Sequence, residues 1–167
     1  MSTDIEALVR RAVSEIVSNT AEPKREKKKI ESITLADAKL LCERVESKAR
    51  EMGVRAVVAI ADAGGNLRLC EAMDDAYLAS TDIAINKAYT SVALKMSTAK
   101  LATLAAPGGS LYGIQNTNGG RIVIFGGGDF LEVRGKIIGG IGVSGGSAEQ
   151  DTALSAYGKK VFGELFE

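Results

Sequence analysis

Histidine is missing from this chain of 167 residues. Its absence excludes a serine–histidine or cysteine–histidine nucleophilic pair, a zinc site of the Cys/His type and imidazole ligation of haem. Any bound metal would have to be held by carboxylates, carbonyls, thiols, a thioether or a tyrosinate. Cysteine is scarce: Cys42 and Cys70 fall on apolar-patterned segments without metal-like spacing, so no metal site is assigned. Two thiols and no secretory signal describe a reduced, cytoplasmic protein whose cysteines serve as small hydrophobes. An excess of charge is also lacking, since Lys plus Arg and Asp plus Glu both total 21, which sets nucleic acid aside. The 46% apolar content contains no long apolar run, which sets a membrane span aside and suits a soluble globular chain.

Glycine is plentiful, with 19 residues, and it concentrates where Lys136 to Asp151 reads KIIGGIGVSGGSAEQD. Ile137, Ile138, Ile141 and Val143 favour a buried strand, while Gly139, Gly140 and Gly142 strip side chains where a backbone or a ligand must come close. Gly145 and Gly146 suit a tight turn, and Ser147 with Gln150 has the form of a capping box, so a helix starts at Ser147. Its first amides form a ready site for an anionic or polar group. The glycines equally suit simple close packing of a helix on the sheet.

Earlier in the chain, residues 1–19 read as an amphipathic helix with Ile5, Leu8, Val9, Ala12, Val13, Ile16 and Val17 as its apolar stripe. Residues 20–32 are polar, contain Pro23 and carry a basic cluster at Lys27, Lys28 and Lys29, the composition of a flexible linker. A helix this short needs a partner surface, whether its own domain, another subunit or a different protein.

The body, residues 33–167, begins with a helix capped by Thr34 and Asp37, whose apolar face is Ala38, Leu41, Cys42, Val45, Ala49 and Met52. AVVAIA at Ala56–Ala61 is a doubly buried strand that turns at Gly64-Gly65 into a second strand from Leu67 to Met73. Ser80 caps a helix reaching about Met96. Its small side (Ala84, Ala88 and Ser91) suits close approach to the sheet and exposes Lys87 as a candidate anion ligand. Pro107 ends the next helical segment before a glycine loop at Gly108-Gly109. Arg121–Phe125 alternates as a strand, Gly126-Gly127-Gly128 bends the chain, and Phe130–Val133 leads into the glycine strand. The last helix buries Leu154, Tyr157, Val161 and Leu165 and lies beside the first helix of the body. The expected fold is therefore α+β, a five-stranded antiparallel sheet with helices packed on its faces.

The blocks LADAKLLCERVESKAREMGVRAVVAIADAGGNL, MDDAYLASTDIAINKAYTSVAL, APGGSLYGI, GGRIVIFGGG and IGGIGVSGGSAEQD together resemble the haem-degrading domain family. That family is also called GlcG/HbpS-like and includes the C-terminal domain of PduO-type propanediol-utilisation proteins. The resemblance implies a profilin-like sandwich that forms a homo-oligomer, with members that bind haem or corrinoid-related ligands. Matched to the family's blocks, the ligand-binding candidates are Asp62, Gly64, Gly65, Asn66, Lys87, Gly108, Gly109, Gly126, Gly127, Gly128, Gly145, Gly146, Glu149 and Asp151. Asn66 stands where many members carry histidine, so imidazole ligation of haem is not available here. Tyr89, Tyr112 or a methionine remains as an iron ligand. The N-terminal segment resembles the encapsulation peptides that route cargo into bacterial microcompartments, and implies a shell or cargo partner and a place in the compartment lumen.

No nucleophile and base pair is evident, so catalytic residues stay unassigned and the cofactor stays unknown. A small-molecule or cofactor-binding accessory role leads. An enzyme acting on a small carboxylated or phosphorylated metabolite, with Asp62, Glu149 or Asp151 as base, and an oligomeric haem or corrinoid carrier are the alternatives.

Overall fold

A computed structural model describes residues 31–166, and the stripe from Ile5 to Val17 lies outside the described residues. The elements are α1 (Leu35–Glu51), β1 (Val57–Asp62), β2 (Leu67–Ala72), α2 (Ser80–Ala93), α3 (Thr98–Ala105), two short 3-10 turns, β3 (Gly128–Val133), β4 (Lys136–Ser144) and α4 (Ala148–Phe166). The strands form one antiparallel sheet in the order β2-β1-β4-β3. The α+β class holds, but the sheet has four strands rather than five. The alternating Arg121–Phe125 segment stays out of it because Thr90 takes its backbone bonds. The Val123 N–H donates to Thr90 Oγ1 at 3.1 Å, and the Thr90 hydroxyl faces the Arg121 carbonyl at 3.2 Å.

Local signals set the helix ends. Thr34 and Asp37 form the expected capping box on α1, and Gly53 follows its end with φ +69°. Ser147 and Gln150 do the same for α4, with the Ser147 N–H donating to Gln150 Oε1 at 2.9 Å and the Gln150 N–H to Ser147 Oγ at 3.3 Å. Ser80 does not cap α2; its hydroxyl is buried and accepts a hydrogen bond from Ser144 Oγ at 3.1 Å.

The two faces of the sheet pack differently. Against one face, α1 and α4 bring Leu41, Val45, Leu154 and Phe162 onto Val58, Ile60, Ile141 and Val143. Leu165, expected inside, is 42% exposed, and Phe162 fills the core instead. Against the other face α2 lays its small side, with Ala84 and Ala88 meeting Val57, Ala59 and Ala61. The glycines of β4 make this contact possible. A Cβ on Gly140 would come within 2.7 Å of the Ala88 carbonyl, and one on Gly142 within 2.6 Å of the Ala88 nitrogen. The bare face of the glycine strand is thus covered by helix backbone, the close-packing reading of those glycines.

Candidate functional site

Where β4 runs into α4, two buried charged side chains meet. Lys87 of α2 is fully buried, its Nζ donating to Asp151 Oδ2 of α4 and to the Val143 carbonyl of β4, both at 2.8 Å. This corrects the expectation of an exposed cation. The close approach of α2 to the glycine strand carries the lysine stem inward, and its head passes beside Gly127, where a Cβ would stand 2.6 Å from Nζ. Gly127 has φ +113°, so both its conformation and its lack of a side chain are required there. The Phe125 ring caps the ammonium with its centroid 4.9 Å from Nζ. Burial lowers the Lys87 pKa and the Asp151 carboxylate pulls it back up. The other Asp151 oxygen accepts the Gly146 N–H at 2.9 Å, so the carboxylate is held by a lysine and a turn amide together.

Beside this pair opens a hollow of about 270 Å³. Ser80, Ser144, Gly145, Gly146 and Asp151 give it polar walls, and Tyr77 and Phe125 flank it. Both aromatic rings are substantially exposed, at 73% and 43%. Sequence reasoning missed Ser80, Ser144, Tyr77 and Phe125 as site residues; the one local signal was Phe125 directly before three glycines.

The remaining candidates divide between two ends of the sheet. Lys87, Gly126, Gly127, Gly128, Gly145, Gly146 and Asp151 gather at the junction, with Gly126 packed on Thr152 and Gly128 on Lys87 and Thr98. Glu149 is exposed in the first turn of α4, with hydrogen bonds from Ser147 and the backbone keeping its pKa low. Asp62, Gly64, Gly65 and Asn66 form the β1–β2 hairpin. In the register of β1 on β4, Asp62 faces Gly139 while Val57 faces Ser144, so the hairpin lies about 17 Å away from the junction. There Asp62 Oδ1 accepts the Gly64 and Asn66 N–H groups at 2.9 Å each and the Asn66 amide at 3.2 Å. Burial opposes this, but the amide bonds prevail and hold the Asp62 pKa below the usual aspartate range. Tyr89 packs on Gly65, with Arg121 stacked 3.7 Å from its ring centroid. Gly108 and Gly109 turn the chain after α3, and Tyr112 is exposed.

The family model described as haem degrading protein HbpS-like matches residues 33–159. The chain belongs to the HbpS-like family. Among its HbpS-like relatives, a Citrobacter freundii protein described as an uncharacterized 15.0 kDa protein in the dhaT-dhaS intergenic region is 48% identical over 81% of this chain and 96% of its own length. The corrinoid adenosyltransferase PduO of Citrobacter freundii is 42% identical over 65% of this chain, and the match takes in 32% of PduO. Among solved structures, a PduOC:heme complex superposes with a TM-score of 0.74 at 37% identity, covering 77% of this chain and 94% of that one. Among the described residues no helix is long and apolar enough to cross a membrane.

Proposed function

We propose that this HbpS-like chain is an accessory protein that binds a small molecule in the hollow at the β4–α4 junction. The observation that carries the reading is the hollow itself, lined by Asp151, the carboxylate half of a desolvated lysine–aspartate pair. A buried ion pair contributes little net stability, so its presence with one member in the wall of an open cavity supports a role at a site. The volume is at the low end for ligand pockets and suits a metabolite rather than a macrocycle. Lys87 and Asp151 neutralise each other and the Gly146 amide is already used by Asp151. The groups left to recognise a ligand are the Ser80 and Ser144 hydroxyls between aromatic walls, which favours a neutral hydroxylated molecule over a carboxylate or phosphate. Calorimetric titration with small polyols and their phosphate esters tests this. The neutral compounds bind and Ala148→Trp, which fills the hollow from an exposed position, removes the binding. Preference for the phosphate esters, or binding unaffected by Ala148→Trp, overturns the reading.

A second reading is favoured by the haem complex of the PduO domain. This chain then carries haem or a corrinoid as a homo-oligomer, the macrocycle lying outside the small hollow with a non-histidine ligand. Haem titration decides it: a saturable Soret shift supports carriage, and none with either haem or corrinoid rejects it. The segment 1–19 is proposed to direct the protein to a microcompartment lumen, and its fusion to a fluorescent reporter co-localises with compartments if so. Diffuse fluorescence removes the targeting role and leaves the binding role standing.

A further inference from the structure

On the apolar face of the sheet, opposite the face that α2 covers, three metal-ligating side chains converge. Cys42 and Glu46 stand one helical turn apart on α1, and Glu71 points up from β2, the three ligand atoms lying within 4.8 Å of one another. We propose that Cys42, Glu46 and Glu71 form a binding site for a divalent transition-metal ion of the zinc, cobalt or iron(II) kind.

The spacing fits. With metal–sulfur near 2.3 Å and metal–oxygen near 2.1 Å, two ligands at a tetrahedral angle stand about 3.6 Å apart. Cys42 Sγ and Glu71 Oε2 are 3.6 Å apart. The charge balance points the same way, independently of that distance. Glu71 is half-buried and has no cation partner among the described residues; the one side-chain hydrogen bond to its carboxylate there is the weak one from the Cys42 thiol. Glu46 keeps Arg50 at 3.2 Å, which orients it as an outer partner orients a ligating carboxylate. A hollow of about 620 Å³ bordered by Glu46, Arg50, Arg55 and Met73 meets the cluster at Glu46, the side from which an ion and a solvent ligand would enter. On binding, the metal replaces the proton on Cys42 Sγ and that proton leaves to solvent. One thiolate with two carboxylates selects such a metal over magnesium or calcium, which take oxygen alone.

The test is titration of chelator-treated full-length protein with Co²⁺, read as thiolate-to-cobalt charge-transfer absorption in the near ultraviolet. One Co²⁺ per chain with this band, displaced by Zn²⁺, kept in Cys70→Ser and lost in Cys42→Ser, is the expected result. Absence of the band, or its survival in Cys42→Ser, overturns the site. If Cys42→Ser does not fold, Glu71→Gln decides. Affinity falling roughly tenfold or more supports the site, and unchanged affinity removes it.

Discussion

The two faces of this sheet solve the same packing problem with opposite materials. On the α1–α4 face, branched and aromatic side chains interlock in the ordinary way, Leu41, Ile60, Ile141 and Phe162 among them. On the α2 face the side chains nearly vanish, and helix backbone lies against Gly140 and Gly142. The polar groups buried there include Lys87, Thr90, Ser91 and Thr98. A face built from backbone contacts has little apolar area to contribute, so its cohesion depends on fit and on polar bonds. The junction site grows out of that face, because only where side chains are removed can a lysine stem cross from helix to sheet end.

The largest effect should therefore come from breaking its ion pair. Asp151→Ala leaves a buried ammonium without its partner and should cost about 3–5 kcal/mol in urea unfolding. Replacing both partners by apolar residues, Lys87→Met with Asp151→Leu, should recover most of that loss. If the single variant unfolds like the parent, Lys87 is not left as an uncompensated buried ammonium when Asp151 is removed. Next in size is Gly142→Ala, whose Cβ would strike the Ala84 carbonyl and the Ala88 amide. Backbone cannot step aside as a side chain does, so a loss of about 1–3 kcal/mol is expected. Tolerance of the alanine would mean that α2 stands off the sheet.

What the sequence made readable follows the same division. The capping boxes at Thr34 and Ser147, the hairpin at Gly64-Gly65 and the apolar stripe of α1 each depend on residues within a few positions of one another, and each stands in the structure. The small side of α2 was also legible as a close-packing surface. The burial of Lys87 was not, because its partner Asp151 lies 64 residues away and nothing local announces the pairing. The fifth strand failed for a related reason: the Thr90 hydroxyl, 33 residues before Val123, supplies the bond that a neighbouring strand would have supplied. Cys42 and Glu71, 29 residues apart, likewise carry no spacing signature and meet only once α1 has packed on β2.

A smaller effect of opposite sign sharpens the contrast. Gly163 lies in α4 with open space where a Cβ would be. Gly163→Ala should stabilise the protein by about 0.5–1 kcal/mol, since only helix propensity changes. The same substitution thus helps on one layer and harms on the other, and equal effects at positions 142 and 163 would erase the distinction between the two faces.

The smallest effect concerns the carboxylate that the apolar face does bury. Asp129 is 9% exposed, and Ser155 Oγ donates to its Oδ2 at 2.8 Å. Burial raises its pKa, against the opposing pull of that hydroxyl and of Lys159. Unlike Asp151, it has no lysine in contact to neutralise it. A carboxyl whose folded pKa is raised favours the folded state fully below its unfolded pKa, and that contribution is lost as pH rises through the folded value. Asp129→Asn keeps an acceptor for Ser155 and never ionises. The variant should match the parent in strong acid and pull ahead as pH climbs above the ordinary aspartate range, by on the order of 1 kcal/mol or less. Unfolding midpoints taken across that window give the answer: a difference that narrows with rising pH would mean that Asp129 is stabilised as an anion, and that this face too holds its charge by pairing.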